Sequence, residues 1–284
     1  MKKTETIGNQ RPFFFVWTMA EAVDLVVQAK WVVPMRGGAV LEDHAVAVRG
    51  GRIVAVGPKA SLASLEARER RDLGHQVLLP GLVNAHTHSP MTLLRSYVDN
   101  VELMDWLQNY IWPAEGRHVD EHFIRDGTEL AVAEMIRAGV TCFADMYFFP
   151  GVTADVVDRM GVRAGVGVPI INAPTPWAKT EAECVSKGTT ELLDRFKNHD
   201  RIKPMMAPHA PYTVTDEGFT SAVKLAKERN LRLHTHLHET EFEVSSPPER
   251  PLARLGRLGM LSKETLLAHM VHLTDEEVEQ VAKR

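Results

Sequence analysis

The sequence predicts an α/β protein: a parallel sheet covered by helices, preceded by a small β-unit. Three observations lead there. From Val77 onward, short apolar runs alternate with segments of helical period, the pattern of strand–helix–strand crossovers. Those runs are apolar almost throughout, as strands buried on both faces require. Upstream, two segments of period two flank Gly50-Gly51, a hairpin signal.

Taken in order, residues 1–18 form an extension expected to be disordered. Its apolar piece, Phe13–Met19, is too short for a signal-peptide core, and no small-residue cleavage site follows. Met19 is an alternative start. "VDLVVQAKWVVP" from Val23 and "AVAVRGGRIVAVG" supply strands of a β-sandwich-like unit over 19–76, of which the N-terminal part is present. "PKASLASLEARERRDLGHQ" connects it to the next strand, "VLLPGLVNAHTH", at the head of a barrel-type unit over 77–284.

"HFIRDGTELAVAEMIRAG" has helical spacing and stops at Gly139, and "VTADVVDRMG" does the same at Gly161, both natural glycines just past a helix end. Between and after them, "VTCFADM" and "RAGVGVPI" are strands. "KTEAECVSKGTTELLDRF" is a helix in spite of Gly188, and "IKPMMAPHA" is the fourth strand. "TDEGFTSAVKLAKERN" is a helix capped by Thr215. "LRLHTHLHE" is strand five, "SPPERPLARLGRLG" a loop and helix, and "TLLAHMVHL" strand six. The last segment starts a helix with Thr274 as cap and Glu277 at the third helical position, a capping box. Six parallel strands are counted from Val77, where a closed (β/α)8 barrel has eight. The pattern fits an open sheet or a barrel interrupted before closure.

Composition narrows the function. With 284 residues, 44% hydrophobic and 25% charged, the chain can bury a sizeable core. A formal charge of -4 provides no basic field for nucleic acid, and no apolar window is long enough for a membrane span. Cys142 and Cys184 are the only cysteines, which excludes a disulfide framework or a cysteine-based zinc site and suits the cytoplasm.

Several of the 13 histidines share one kind of place, the C-terminal ends of the expected strands. His86 and His88 end strand one, His209 ends strand four, and His234, His236 and His238 lie on strand five with Glu239 after them. His269 and His272 lie on strand six. In a parallel barrel those ends form the active face. Residues i and i+2 of a strand share a side, so His86 and His88 project together and can chelate one divalent cation. Alternation alone does not choose among His234, His236 and His238. Glu239 faces away on an ideal strand, so the chain must already be turning there. His44, His75, His118, His122 and His199 fall in connectors or on helices and are read as surface residues.

Four stretches, "PGLVNAHTH", "APHAPYT", "HTHLHET" and "LLAHMVHL", resemble the amidohydrolase superfamily in its branch of hydrolytic nucleoside and triazine deaminases. "WLQNYIWPAEG" and "INAPTPWA" are similar to the members acting on 5′-methylthioadenosine and S-adenosylhomocysteine. The resemblance runs from about Val23 to the end. It implies a metal-dependent hydrolase of TIM type, an incomplete (β/α)8 barrel with about six strands behind the small β-domain. It also implies hydrolysis of a C–N bond, turning an adenosine derivative into the inosine analogue plus ammonia.

By the same resemblance His86, His88 and His236 are metal ligands and Glu239 is the catalytic acid/base. His269 stands beside the attacking water, His209 contacts substrate, and Glu115 binds the ribose hydroxyls. Some members hold two metals bridged by a carboxylated lysine at the end of strand four. Here that end carries His209 and the nearest lysine is Lys203, at the strand's start, so one ion is expected. Zinc comes first, since imidazoles suit it, with Fe2+ or another divalent ion as alternatives. Arg163 or another arginine is a candidate for meeting a homocysteine carboxylate.

The family's fourth protein ligand, an aspartate ending strand eight, has no counterpart within these residues. The expectation is a truncated copy with weakened metal affinity, and little ammonia release from methylthioadenosine by residues 1–284. The expected partner is a small nucleoside; nucleic acid and membranes are not expected, and a homo-oligomer is compatible with the sequence. Two rivals stand beside this reading. One is a related aminohydrolase or chlorohydrolase acting on guanine, 8-oxoguanine, cytosine or a triazine; the other is a non-catalytic metal-binding fragment.

Overall fold

The computed structural model describes residues 22–245 and 248–283. The extension over 1–18 and the alternative start at Met19 lie outside the described residues. The chain divides into two compact units between Pro80 and Gly81.

The first unit is built on a sheet with strand order β3-β2-β1-β4, β5 also pairing with β1. β1 spans Val23–Val32, β2 Leu41–Arg49 and β3 Arg52–Pro58. The hairpin turn is Gly50-Gly51, with φ of 56° and 71°, the double left-handed conformation that a two-residue turn of this twist needs. Val23, Val26, Ala45, Ala47 and Leu62 form its core.

Two strands depart from the sequence expectation. β4, Ala67–Asp72, lies within the stretch read as a connector and pairs parallel to β1. Its sequence, "ARERRD", is charged and largely exposed, which suits a sheet edge but leaves no apolar alternation to read. β5, Val77–Leu78, joins the small sheet through Trp31 and Val32 of β1. The apolar run "VLLPGLVNAHTH" is therefore two strands split at Pro80, and the units divide slightly later than the 76/77 boundary.

The second unit carries six parallel strands: β6 Leu82–Thr87, β7 Val140–Met146, β8 Arg163–Ile170, β9 Ile202–Pro208, β10 Arg232–Leu237 and β11 Thr265–His269. Their spatial order follows the sequence without a reversal, whereas a doubly wound open sheet reverses at a switch point. The sheet also curls. His86 at the end of β6 and His269 at the end of β11 belong to its two outermost strands, yet their rings lie 5.5 Å apart. The architecture is that of a curled parallel (β/α) barrel of six strands.

The crossover helices start and stop where the sequence indicates. Asp120, Thr180, Thr215 and Thr274 each accept a backbone N–H from three residues on, and Thr274 with Glu277 completes the capping box. Gly139 and Gly161 follow their helices at φ 81° and 79°. The helix Glu121–Arg137 approaches the turn after His88 so closely that a Cβ on Gly127 would sit 2.4 Å from the Pro90 carbonyl oxygen. The core lies between sheet and helices, with Val166, Val168, Ile170, Met206 and Leu237 fully buried.

Candidate active site

The C-terminal ends of the strands bring the histidines together. His236 Nε2 lies 3.1 Å from His86 Nε2 and 3.1 Å from His88 Nε2. Hydrogen-bond chemistry fixes the protons. His88 Nδ1 is 2.6 Å from the Met146 carbonyl oxygen, and His236 Nδ1 is 2.8 Å from that of His209. A carbonyl only accepts, so each Nδ1 carries a proton. Burial holds both imidazoles below their ordinary pKa, His236 well below, so both are neutral and neither Nε2 bears a proton. Two bare lone pairs then face each other at 3.1 Å, an arrangement that repels unless a cation lies between them. Ligating histidines characteristically give their other N–H to a carbonyl or carboxylate, so these residues fit a metal. Burial and the neighbouring histidines also push His86 down to about 3. Ring nitrogens of His86, His236 and His269 all lie within 4.8 Å of one another.

Glu239 stands beside this cluster because β10 ends at Leu237 and the backbone turns left-handed at His238, φ 54°. The turn is held by Glu243, a buried carboxylate whose oxygens accept the N–H groups of His238 and Glu239 at 2.9 and 2.8 Å. Burial, and then the charge of Glu243, push Glu239 up to about 7. Its Oε1 is 3.5 Å from His269 Nε2. His209, immediately after β9, has its Nδ1 2.7 Å from the Thr213 hydroxyl, whose own proton goes to the Ala210 carbonyl, so the imidazole donates. Burial lowers its pKa to about 3.

All seven expected site residues, His86, His88, Glu115, His209, His236, Glu239 and His269, line one cavity of about 830 Å³. Glu115 sits on the helix Trp112–His118 and accepts the Tyr147 hydroxyl at 2.6 Å. Burial pushes its carboxyl up to about 7 against the pull of that bond. Trp106, Leu107, Ile111 and Phe148 give the cavity an apolar wall.

Strand alternation treated His234, His236 and His238 alike, but the structure separates them. His236 faces the cavity. His234 turns to His86, Nε2 to Nδ1, at 2.9 Å. His238 is carried away by its own left-handed turn, its Nε2 accepting the Leu252 N–H. His272 lies beyond β11, not on it, because the chain turns at His269 and Met270, φ 74° and 58°. Arg163 opens β8, at the end opposite the cavity. Lys179 is the one lysine or arginine among the described residues lining it. Lys203 is likewise at the far end, with Nζ on the His199 carbonyl.

Sequence reasoning missed Tyr147, Glu243 and Asp145. Tyr147 and Asp145 belong to an apolar strand end where only packing was legible. Asp145 is buried, accepts the Ser89 N–H at 2.6 Å and is pushed up to about 7 by burial. Glu243 is one of three acids, with Glu239 and Glu241, in a short stretch whose pattern does not single it out.

A profile of the amidohydrolase family matches residues 77–284, and one of an imidazolonepropionase-like composite domain from bacteria matches 45–64. A protein of Saccharophagus degradans named 5-methylthioadenosine/S-adenosylhomocysteine deaminase is 41% identical over 261 residues, 90% of this chain and 58% of that protein. One of the same name from Aquifex aeolicus is 37% identical, across 93% of this chain and 60% of its own. The chain thus spans about three fifths of the length of these relatives. Among solved structures, an adenosine deaminase from Xanthomonas campestris with bound zinc superposes with a TM-score of 0.87 at 44% identity. That match covers 93% of this chain and 61% of the other. Atrazine chlorohydrolase TrzN from Arthrobacter aurescens, complexed with zinc, gives 0.81 at 22% identity over 91% and 63%, a likeness of fold alone.

Proposed function

This chain belongs to the amidohydrolase family, and from that premise we propose that its barrel carries a hydrolytic deaminase site for a 5′-thio-substituted adenosine. The names of the relatives point to methylthioadenosine or S-adenosylhomocysteine as substrate. The observation that carries the proposal is that the Nε2 atoms of His88 and His236 face each other at 3.1 Å while each Nδ1 lies against a backbone carbonyl. With His86 they form the set for one divalent ion, zinc before iron. A bound ion would supply Lewis acidity, bringing the pKa of a water from 15.7 towards about 7.

The chain's own residues do the rest. Glu239, held near 7, has at neutral pH both the proton that ring N1 needs and the base form that recovers it. General acid–base help of this kind contributes about 10²–10⁴-fold. Glu239 gives its proton to N1 as water adds at C6 and takes the proton that the water loses. It then passes that proton to the amino group, the C6–N bond breaks as the C6 hydroxyl gives up its proton, and ammonia and the inosine analogue leave. His269, 3.5 Å from Glu239, orients the attacking water. His209, neutral and with Nδ1 engaged by Thr213, offers its Nε2 lone pair to a substrate donor. Tyr147 holds one oxygen of Glu115, leaving the other to accept the ribose hydroxyls, while the apolar wall receives the thioether. A homocysteine carboxylate would meet Lys179 in place of Arg163.

The unpaired Cys142 and Cys184 accord with a cytoplasmic protein. No helix among the described residues is long and apolar enough to cross a membrane.

The test is binding to the zinc-loaded protein. Methylthioadenosine and methylthioinosine are expected to bind, and Glu115→Gln to weaken them about tenfold while sparing guanine, the loss being about one hydrogen bond to a charged group. Guanine or a triazine binding better than either nucleoside would overturn the substrate assignment. Zinc failing to bind at all would overturn the site.

A further inference from the structure

We propose that His234 is a positioning residue for the metal site: its Nε2 accepts the Nδ1 proton of His86 and so presents the His86 Nε2 lone pair to the ion. The inference rests on the metal reading above. It concerns a histidine that the family resemblance leaves without a role.

Counting protons decides which ring donates. His86 Nδ1 and His234 Nε2 are 2.9 Å apart, and a hydrogen bond between them holds one proton. If His234 donates, the His86 proton is confined to Nε2, which then points at His236 Nε2 3.1 Å away and cannot ligate. If His86 donates, its Nε2 is free and joins the lone pairs of His88 and His236. Only the second arrangement gives three ligands. His88 and His236 reach the same state through backbone carbonyls. His86 has an imidazole in the place where ligating histidines usually find a carboxylate or carbonyl.

The environment explains why the acceptor is an imidazole. His234 is 0% exposed, and a carboxylate buried there would bring a charge that must be paired. A neutral ring accepts the proton without one. The same burial argues against a mere core filler. His234 Nδ1 is buried without a partner among the described residues, a cost that a leucine of similar volume would avoid. A residue kept against that cost is doing something a leucine cannot, and the one hydrogen bond it makes is to His86.

The experiment is zinc affinity by competition with a chelating dye, for wild type, His234→Leu and His234→Gln, with thermal melting to confirm folding. Loss of a partner of this kind weakens metal binding about 10–100-fold, the loss expected of His234→Leu. His234→Gln should recover most of it, because its amide oxygen lies where Nε2 does. In the zinc-loaded wild type, ¹⁵N spectra should show His234 protonated on Nδ1 and bare on Nε2. Wild-type affinity in His234→Leu, no recovery in His234→Gln, or a proton on His234 Nε2 would each overturn the proposal. If His234→Leu fails to fold, His234→Gln and the wild-type spectrum decide alone. Zinc binding undiminished in His86→Ala would instead sink the metal reading, and this inference with it.

Discussion

Replacing Tyr147 by phenylalanine removes one oxygen and isolates one interaction. The hydroxyl donates to Glu115 at 2.6 Å, and both side chains are under 10% exposed, Tyr147 at 6% and Glu115 at 7%, so water cannot easily replace the bond. Burial raises Glu115 from 4.5 to about 7. The native protein therefore holds more protons than the unfolded chain between those values, and its stability falls as pH rises across that window. At pH 5 the carboxyl is protonated in the folded state, and the substitution removes a bond between neutral groups, about 0.5–1.5 kcal/mol. At pH 8.5 it strands a buried carboxylate, and the loss grows to about 1.5–3 kcal/mol. The phenol bond also holds the Glu115 pKa down, so without it the fall in stability continues to higher pH than in wild type. Urea unfolding of both proteins at the two pH values measures the difference directly. An equal loss at both, or a larger one at pH 5, would refute the reasoning.

Other perturbations reach the rest of the site. Zinc at 100 times its dissociation constant should add about 2.7 kcal/mol of stability; His236→Ala should abolish the gain, seen as melting temperatures that coincide with zinc and with EDTA. Glu243→Ala removes both acceptors of the turn at His238–Glu239 and should cost about 2–4 kcal/mol. It should also let Glu239 titrate closer to an ordinary carboxylate, because a neighbouring negative charge is gone, a downward shift that carboxyl NMR would follow. Gly127→Ala drives a methyl into the Pro90 backbone. It should cost about 1–3 kcal/mol and weaken zinc binding as well, since the displaced turn begins at His88; a melt and a zinc titration on the same sample test both.

Much of this molecule is legible in its sequence, for identifiable reasons. Helix ends are local: Thr215 and Thr274, read as caps from the sequence, cap their own segments, and Asp120 and Thr180, which the sequence reading did not single out, do the same. Strands β8 and β9 are legible because burial on both faces makes them apolar almost throughout, and β6 opens apolar as well although Leu82 and Val83 are exposed. β4 was not, because an edge strand of "ARERRD" is stabilised by its pairing with β1 and by little of its own. β5 was misplaced because an apolar run shows burial but not the sheet it belongs to. In the site, His-x-His on a strand announced itself by spacing. Tyr147 on Glu115 and His234 on His86 could not, since each is a contact between segments 32 and 148 residues apart.

Four left-handed residues stand at or just past the C-terminal ends of barrel strands. His238, His269, Met270 and Phe149 all carry φ between 49° and 74°, in the left-handed region that side chains usually avoid. Such a conformation persists only where its surroundings over-determine it. At His238 the determinant is visible: Glu243 takes both N–H groups of the turn, and Leu252 takes up the ring nitrogen. The return on that strain is directional. An undistorted strand would send residue 239 to the face opposite His236, away from the histidine cluster. One left-handed residue brings Glu239 back to the cavity, beside His269. The same carboxylate that holds the turn repels the charge on Glu239 and so favours its protonated form. Burial is the larger cause of the raised Glu239 pKa and the Glu243 charge the second, so geometry and proton affinity at Glu239 are linked through Glu243, and a variant that relaxes the turn should shift both.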